Sequence, residues 1–328
     1  MKTYATLGPA CMRRDILCAM LREGLSGFRL NLSHTTLAGC TPWLQEVSAA
    51  VKEVGVRPEI IIDMRGSELR MGALAQPIAL REGDSVTLGR GGLPMEEDIL
   101  AALRVKQEVL LDDAAIALTV EHCGRASALC RCIRGGTLGS RKSITLPGID
   151  LERPAVSCED HADLALAADY GITGIMHPFI RSRRDMEQVR QAMAEHGIAH
   201  LTLFAKVEDA TGLNTLPEWM DLADIITVAR GDLGSNIPLW TLPRAQKEIA
   251  CLCRRADKPF LVVTQLLAGM VDHPAPTRAE VSDIYNACLD GASALMLTNE
   301  TAQGQYPLES VQWLLKVARE GEADYRVS

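Results

Sequence analysis

No block of basic residues runs through this 328-residue chain. Its 34 Lys and Arg are scattered among 42 Asp and Glu, a formal net charge of −8. Nucleic acids and anionic membrane surfaces bind through clustered positive charge, so neither is an expected partner. No apolar run approaches the roughly 18 residues of a membrane span, and the opening MKTYATLGPACMRRD lacks the apolar core of a signal peptide. Metal-ligand spacing is missing as well. Ten cysteines are spread along the chain, and Cys130/Cys132 and Cys251/Cys253 are separated by a single residue, so no CxxC pair exists. Zinc and a disulfide framework are thereby disfavoured, and the expectation is reduced thiols and a cytoplasmic location. No low-complexity segment or short-period repeat interrupts the sequence. What remains is an ordinary globular composition, 47% hydrophobic and 23% charged.

The chain alternates short β-rich apolar runs that end in polar residues with longer segments of helical periodicity. Eight runs read as strands: Thr3–Gly8, Gly27–Ser33, Glu59–Met64, Ile172–Phe179, Leu201–Glu208, Ile225–Asp232, Phe260–Leu266 and Ala294–Glu300. The helices expected after them are Arg13–Glu23, Thr41–Val54, Cys158–Tyr170, Arg183–His196, Leu216–Ala223, Leu242–Ala256, Arg278–Leu289 and Leu308–Glu320. Gly24, Gly55, Gly171, Gly197 and Gly291 sit where helices should stop. Eight βα units in series predict a (β/α)8 TIM barrel. One stretch breaks the series. Residues 72–145 hold short alternating runs (SVTL, EVLL, AIALTV) punctuated by glycine, and read as a small all-β lid domain inserted after strand three. Removing it leaves residues 1–71 and 146–328, about 250 residues, the usual size of such a barrel.

Active sites of these barrels lie at the C-terminal ends of the strands. Converging there are Pro9, Arg29, Asn31, Ser33, His34, Asp63, Arg65, Arg70, Phe179, Arg181, Lys206, Glu208, Arg230, Asp232, Thr264, Gln265, Thr298 and Glu300. Glu208 and Asp232 end adjacent strands, and two such carboxylates suit a hard divalent cation such as magnesium. The competing reading of each is a helix cap. Lys206 emerges from an apolar strand, which points to function or to a structural ion pair with Glu208. Arg29 suits a phosphate or an interior ion pair. Asn31, Ser33 and Asp63 supply oxygens for a monovalent cation or simply for a hydrogen-bonded barrel mouth. The glycines of residues 231–234 (GDLG) offer backbone N–H groups to an anion. His177 reads as structural, and no cysteine has a positioned basic partner.

With these residues in hand, the chain resembles the pyruvate kinase family. The matching stretches are TLGP (6–9), RLNLSH (29–34), DMRGSELR (63–70), LPG (146–148), FIR (179–181), KVE (206–208), ARGDLG (229–234), TQ (264–265), PTRAE (276–280) and MLTNE (296–300), all in family order. The resemblance implies transfer of a phosphoryl group from phosphoenolpyruvate to ADP. It gives Arg29 the transferring phosphate and Lys206 the phosphoryl group in flight. Glu208 and Asp232 would hold magnesium or manganese. The backbone of Gly231 and Asp232, with Thr264, would hold the substrate carboxylate. Asn31, Ser33, Asp63 and the Met64 carbonyl would line a potassium site, and Glu68 matches the potassium-requiring version of the family. Thr298 stands where a serine is usual in the proton-relay region. Pro9, His34, Arg70 and Lys142, with Arg141, would face the nucleotide, and residues 276–280 match a barrel–barrel contact, implying a homodimer.

The departures are also specific. The family's N-terminal extension and C-terminal regulatory domain have no counterpart here, so neither sugar-phosphate allostery nor the subunit contact of that domain is expected. Gly39 lies where a nucleotide-contacting tyrosine is usual, Gln303 replaces a lysine, Pro178 a serine and Asn299 a glycine. These changes fall mainly on the nucleotide side. Two alternatives therefore accompany the kinase reading: an aldolase-type lyase acting on the enolate of pyruvate or another 2-oxo acid, and a phosphoenolpyruvate-binding sensor.

Overall fold

The computed structural model describes residues 1–325 except 113, 150 and 152, and leaves out the side chain of His34. Eight parallel strands close into a barrel: β1 (Lys2–Thr6), β2 (Gly27–Asn31), β3 (Glu59–Asp63), β11 (Gly174–His177), β12 (Thr202–Val207), β13 (Ile225–Ala229), β14 (Phe260–Val263) and β15 (Ala294–Leu297). Each pairs with its neighbours in chain order, and β15 returns to β1. Seven strands, β4–β10 in chain order, lie in the inserted segment between β3 and β11. The barrel interior is filled by Tyr4, Ile61, Met176, Phe204, Ala229, Leu261, Val263, Ala294 and Met296. Side chains alternate across a strand, so residues two places further along face the same interior. Thr6, Asp63, Lys206 and Thr298 thus form a polar layer above this apolar plug.

Helices follow the strands: α1 (Arg14–Glu23), α2 (Thr41–Val54), α4 (Cys158–Leu166), α5 (Arg183–Glu195), α6 (Ala210–Trp219), α7 (Arg230–Asn236), α8 (Leu242–Arg255), α9 (Arg278–Leu289), α10 (Asn299–Ala302) and α11 (Pro307–Tyr325). The five glycines expected as stops all have positive φ, from +68° at Gly171 to +101° at Gly24, the left-handed turn that glycine adopts without a Cβ penalty. Every strand ends one to three residues before the sequence run does. Arg230 and Asp232 open α7 instead of ending β13, and Glu300 lies in α10. The reason is that a polar strand exit is also a helix start. The fifth helix begins at Ala210, not Leu216, because Asp209 caps it, its Oδ1 accepting from Gly212 N at 2.7 Å. Pro217 falls inside the helix.

By contacts the chain divides into two compact bodies. One holds Met1–Gly66, Pro154–Arg230 and Leu242–Ser328; the other holds Ser67–Arg153 and Gly231–Thr241. The second contains a five-stranded sheet built from β5 (Ser85–Gly89), β6 (Glu108–Leu111), β7 (Ile116–Cys123), β8 (Ser127–Arg134) and β10 (Ile144–Thr145). A separate pair joins β4 (Ile78–Leu80) to β9 (Gly136–Leu138). Its own core includes Val86, Leu88, Val109, Leu111, Leu118 and Cys130. The insert is not wholly β. Glu97–Ala102 forms a short helix, α3, whose first turn carries Glu97 and Asp98 where the helix dipole favours negative charge. No described helix is long and apolar enough to cross a membrane. All ten cysteines are free thiols.

Candidate active site

The polar layer of the barrel forms one connected chain of charges. Arg29 Nε donates to Asp63 Oδ2 at 2.9 Å, its Nη2 contacts the same oxygen, and its Nη1 donates to Thr6 Oγ1 at 3.0 Å. Lys206 Nζ lies 3.3 Å from Asp63 Oδ1 and 2.7 Å from Glu208 Oε1. Glu208 Oε2 accepts from Phe179 N at 2.9 Å, and Phe179 holds a positive φ of 50° to present that N–H. Asp63 and Glu208 are 2% and 1% exposed. Burial of this kind requires pairing. At Asp63 burial pulls the carboxyl upward, but the charges of Lys206 and Arg29 outweigh it and hold it below the usual carboxylate range. The ion-pair readings of Lys206 and Arg29 are therefore realised. They leave two cations and two carboxylates together at the mouth of the barrel.

A second group surrounds Thr264. This residue and Gln265 follow β14 with φ of 78° and 55°, which is uncommon for any side chain and strained for a β-branched one. The Thr264 carbonyl is gripped by Arg230, whose Nη2 and Nε donate to it at 2.7 and 3.2 Å. Arg230 Nη1 is in turn held by both carboxylate oxygens of Asp283 on α9, at 2.8 and 2.6 Å. Thr298 donates through its N and Oγ1 to Glu300 Oε2, at 2.7 and 3.1 Å, while Glu300 Oε1 accepts from Leu267 N. At the exits of β2 and β3, Asn31 and Asp63 are register partners. Asn31 Oδ1 accepts from Ser33 N, and Met64 N is bonded to Met176 O.

The other sequence candidates are placed as follows. Pro9 is exposed just beyond β1. Arg181 Nε pairs with Asp209 Oδ2 at 2.5 Å. Gly231 and Asp232 lie in the first turn of α7, where their carbonyls accept from Ser235 Oγ and Asn236 Nδ2. Within the second body, Arg70 pairs with Glu68 at 2.8 Å and donates to the Arg141 carbonyl, and Lys142 pairs with Asp112 at 2.8 Å. The His34 side chain falls outside the described residues. Gly39 lies in the short turn Ala38–Cys40, where an added Cβ would meet only the side-chain hydroxyls of Thr35, at 2.6 Å, and Thr36. Sequence reasoning missed Asp283, and it missed Asp160 and Asp163 on α4. The one signal for these last two is a capping motif, Ser157 followed three places later by Asp160.

The family model described as "Pyruvate kinase, barrel domain" matches residues 1–311. A pyruvate kinase from Aeropyrum pernix is 36% identical over 320 residues, covering 97% of this chain and 70% of that protein. One from Agrobacterium vitis is 33% identical over 331 residues, covering 98% and 68%. One from Mycobacterium tuberculosis is 34% identical over 325 residues, covering 96% and 69%. Since the barrel model matches residues 1–311 and relatives bearing one name run along nearly all of the chain, this protein belongs to the pyruvate kinase family.

Proposed function

We propose that this phosphotransferase moves the phosphoryl group of phosphoenolpyruvate to ADP, giving pyruvate and ATP. The observation that carries the reading is the buried Arg29–Asp63–Lys206–Glu208 chain at the strand exits. Such a transfer needs little covalent help. It needs in-line positioning and positive charge around the moving group. The bond that breaks joins phosphorus to the enol oxygen, the bond that forms joins it to a terminal ADP oxygen, and the enolate left behind takes a proton at its methylene carbon. Arg29 would orient the phosphate and Lys206 Nζ would face the equatorial oxygens in flight, each released in part from its carboxylate partner. The Gly231 and Asp232 backbone, with Thr264, would hold the substrate carboxylate. Thr298 Oγ1, tied to Glu300 Oε2, would deliver the proton.

The donor chemistry fits the metals that the family implies. Glu208 and Asp232 offer carboxylate oxygens to magnesium or manganese, and a divalent ion there supplies charge for the enolate and phosphate oxygens. Asn31, Ser33, Asp63 and the Met64 carbonyl offer a hard-oxygen set for potassium, supported by the side-by-side register of Asn31 and Asp63. Pro9, His34, Arg70 and Lys142 are proposed for the nucleotide. A homodimer through the 276–280 segment is proposed on the same resemblance; Thr277, Arg278 and Ala279 are exposed there.

The test is a coupled assay with phosphoenolpyruvate, ADP, magnesium and potassium. Lys206→Met should lower kcat by at least about 10²-fold, as loss of a preorganised charge at the reacting group does. Wild-type turnover no faster than that variant's would overturn the kinase reading in favour of the lyase or sensor.

A further inference from the structure

Two aspartates of α4 have no part in the chemistry above, yet both are buried, Asp160 at 1% and Asp163 at 3% exposure. Asp160 belongs to the capping box of its own helix, its Oδ2 accepting from Ser157 N at 3.0 Å. A capping box satisfies a helix terminus and asks no more. Asp160 does more: its Oδ1 accepts from Arg65 N and its Oδ2 from Gly66 N, both at 2.9 Å. These partners lie 95 and 94 residues away in sequence. One turn along, Asp163 Oδ1 accepts from Leu37 N at 2.7 Å, a partner 126 residues away.

Arg65 joins the two carboxylates to the same loops. Its Nε donates to Leu32 O at 2.9 Å, its Nη2 to Thr35 O, and its Nη1 lies 4.0 Å from Asp163 Oδ2. The exits of β2 and β3 are thus sewn to a single turn of α4 by charge-assisted hydrogen bonds, the stronger kind. Position 66 is held to glycine, because its φ is +58° and a Cβ there would stand 2.7 Å from Pro178 Cγ. The two exits held in this way carry Asn31 and Ser33 on one side and Asp63 and Met64 on the other.

We propose that Asp160, Asp163 and Arg65 are positioning residues for the monovalent-cation site. They do not touch the ion; they fix the separation between the oxygens supplied by β2 and those supplied by β3. The proposal rests on the potassium reading above. A cation held by oxygens from two independent loops binds tightly only when the gap between the loops is held, and groups supporting a metal's ligands typically cost about 10–100-fold in affinity when lost.

The test is a potassium titration, with sodium as comparison, read in the coupled assay and as the rise in melting temperature with potassium alone, on wild type, Asp163→Asn and Arg65→Lys. Glu159→Gln, exposed on the same helix, is the control. The expected result is a half-activating potassium concentration raised about tenfold in both variants, with most activity recovered at high potassium and none of this in the control. A purely structural role would lower kcat at every potassium concentration and leave the midpoint where it is. That outcome in both variants, with a potassium-dependent wild type, overturns the positioning role alone. A wild type indifferent to monovalent cations overturns the cation site itself. Should Asp163→Asn fail to fold, Arg65→Lys reads the same midpoint.

Discussion

Thr264 holds a backbone conformation that a β-branched residue reaches only at a cost of about 1–3 kcal/mol, and its φ of 78° is maintained by a neighbour rather than by itself. Arg230 supplies two hydrogen bonds to its carbonyl, and Asp283 fixes Arg230 in a bidentate pair. Arg230→Lys keeps the charge but removes the planar fork. The Thr264 hydroxyl should then be misplaced, with kcat falling about tenfold and KM for phosphoenolpyruvate changing much less. Asp283→Ala should destabilise the fold by about 1–3 kcal/mol, since it leaves a buried guanidinium with an unmet partner; Asp283 is itself a third exposed, which moderates the loss. Steady-state kinetics and a denaturant titration measure the two effects, and a wild-type kcat in Arg230→Lys would refute the role. Lys206 and Glu208 were legible in the sequence because a period of two makes a charge on an apolar strand conspicuous. Asp283 was not, because its reason for being acidic lies 53 residues away, at Arg230.

At the scale of elements, the barrel could be read because each strand is a short apolar run and five of the helices are followed by a glycine with positive φ. The strand ends were less legible. Arg230 and Asp232 continue an apolar run in sequence, yet a helix begins there in three dimensions. Strand β11 holds a group whose consequence only the structure reveals. His177 is 1% exposed, and neither ring nitrogen has a hydrogen-bond partner. Burial drives its imidazole down to about 4, against the upward pull of Asp160 and Asp63. The unfolded chain binds this proton near pH 6.5 and the folded chain only near 4, so acid favours unfolding between those values. Above pH 6.5 the residue contributes no pH dependence. From 6.5 down to about 4 the protein should lose up to about 3 kcal/mol through this one group. His177→Leu should flatten that segment of the stability curve and raise stability at pH 5 relative to wild type. Chemical denaturation of both proteins between pH 4 and 8 checks this, and parallel curves would show that the buried imidazole is not the cause.

At the scale of the molecule, two bodies with separate cores share one chain. Gly66 N and Ser157 N both donate to the same oxygen, Asp160 Oδ2, at 2.9 and 3.0 Å. The backbone just before the insert and just after it is therefore held together on one carboxylate oxygen. A loop of a few glycines spans such a gap at little entropic cost. The barrel body also buries its apolar plug without help from residues 67–153, since every residue of that plug lies on a barrel strand. Replacing 67–153 by a four-residue glycine linker should accordingly leave a protein that melts cooperatively. Segment Gly231–Thr241, which packs with the insert as part of the same body, loses its neighbours. For that reason the melting temperature should fall, by about 10 °C if some 3 kcal/mol is lost. Catalysis should fail altogether, because Arg70 and Lys142, proposed above for the nucleotide, leave with the insert. Circular dichroism against temperature reads the first expectation and the coupled assay the second. A broad, non-cooperative melt would mean that the barrel depends on the insert for its stability, and retained turnover would mean that the insert has no place in the reaction.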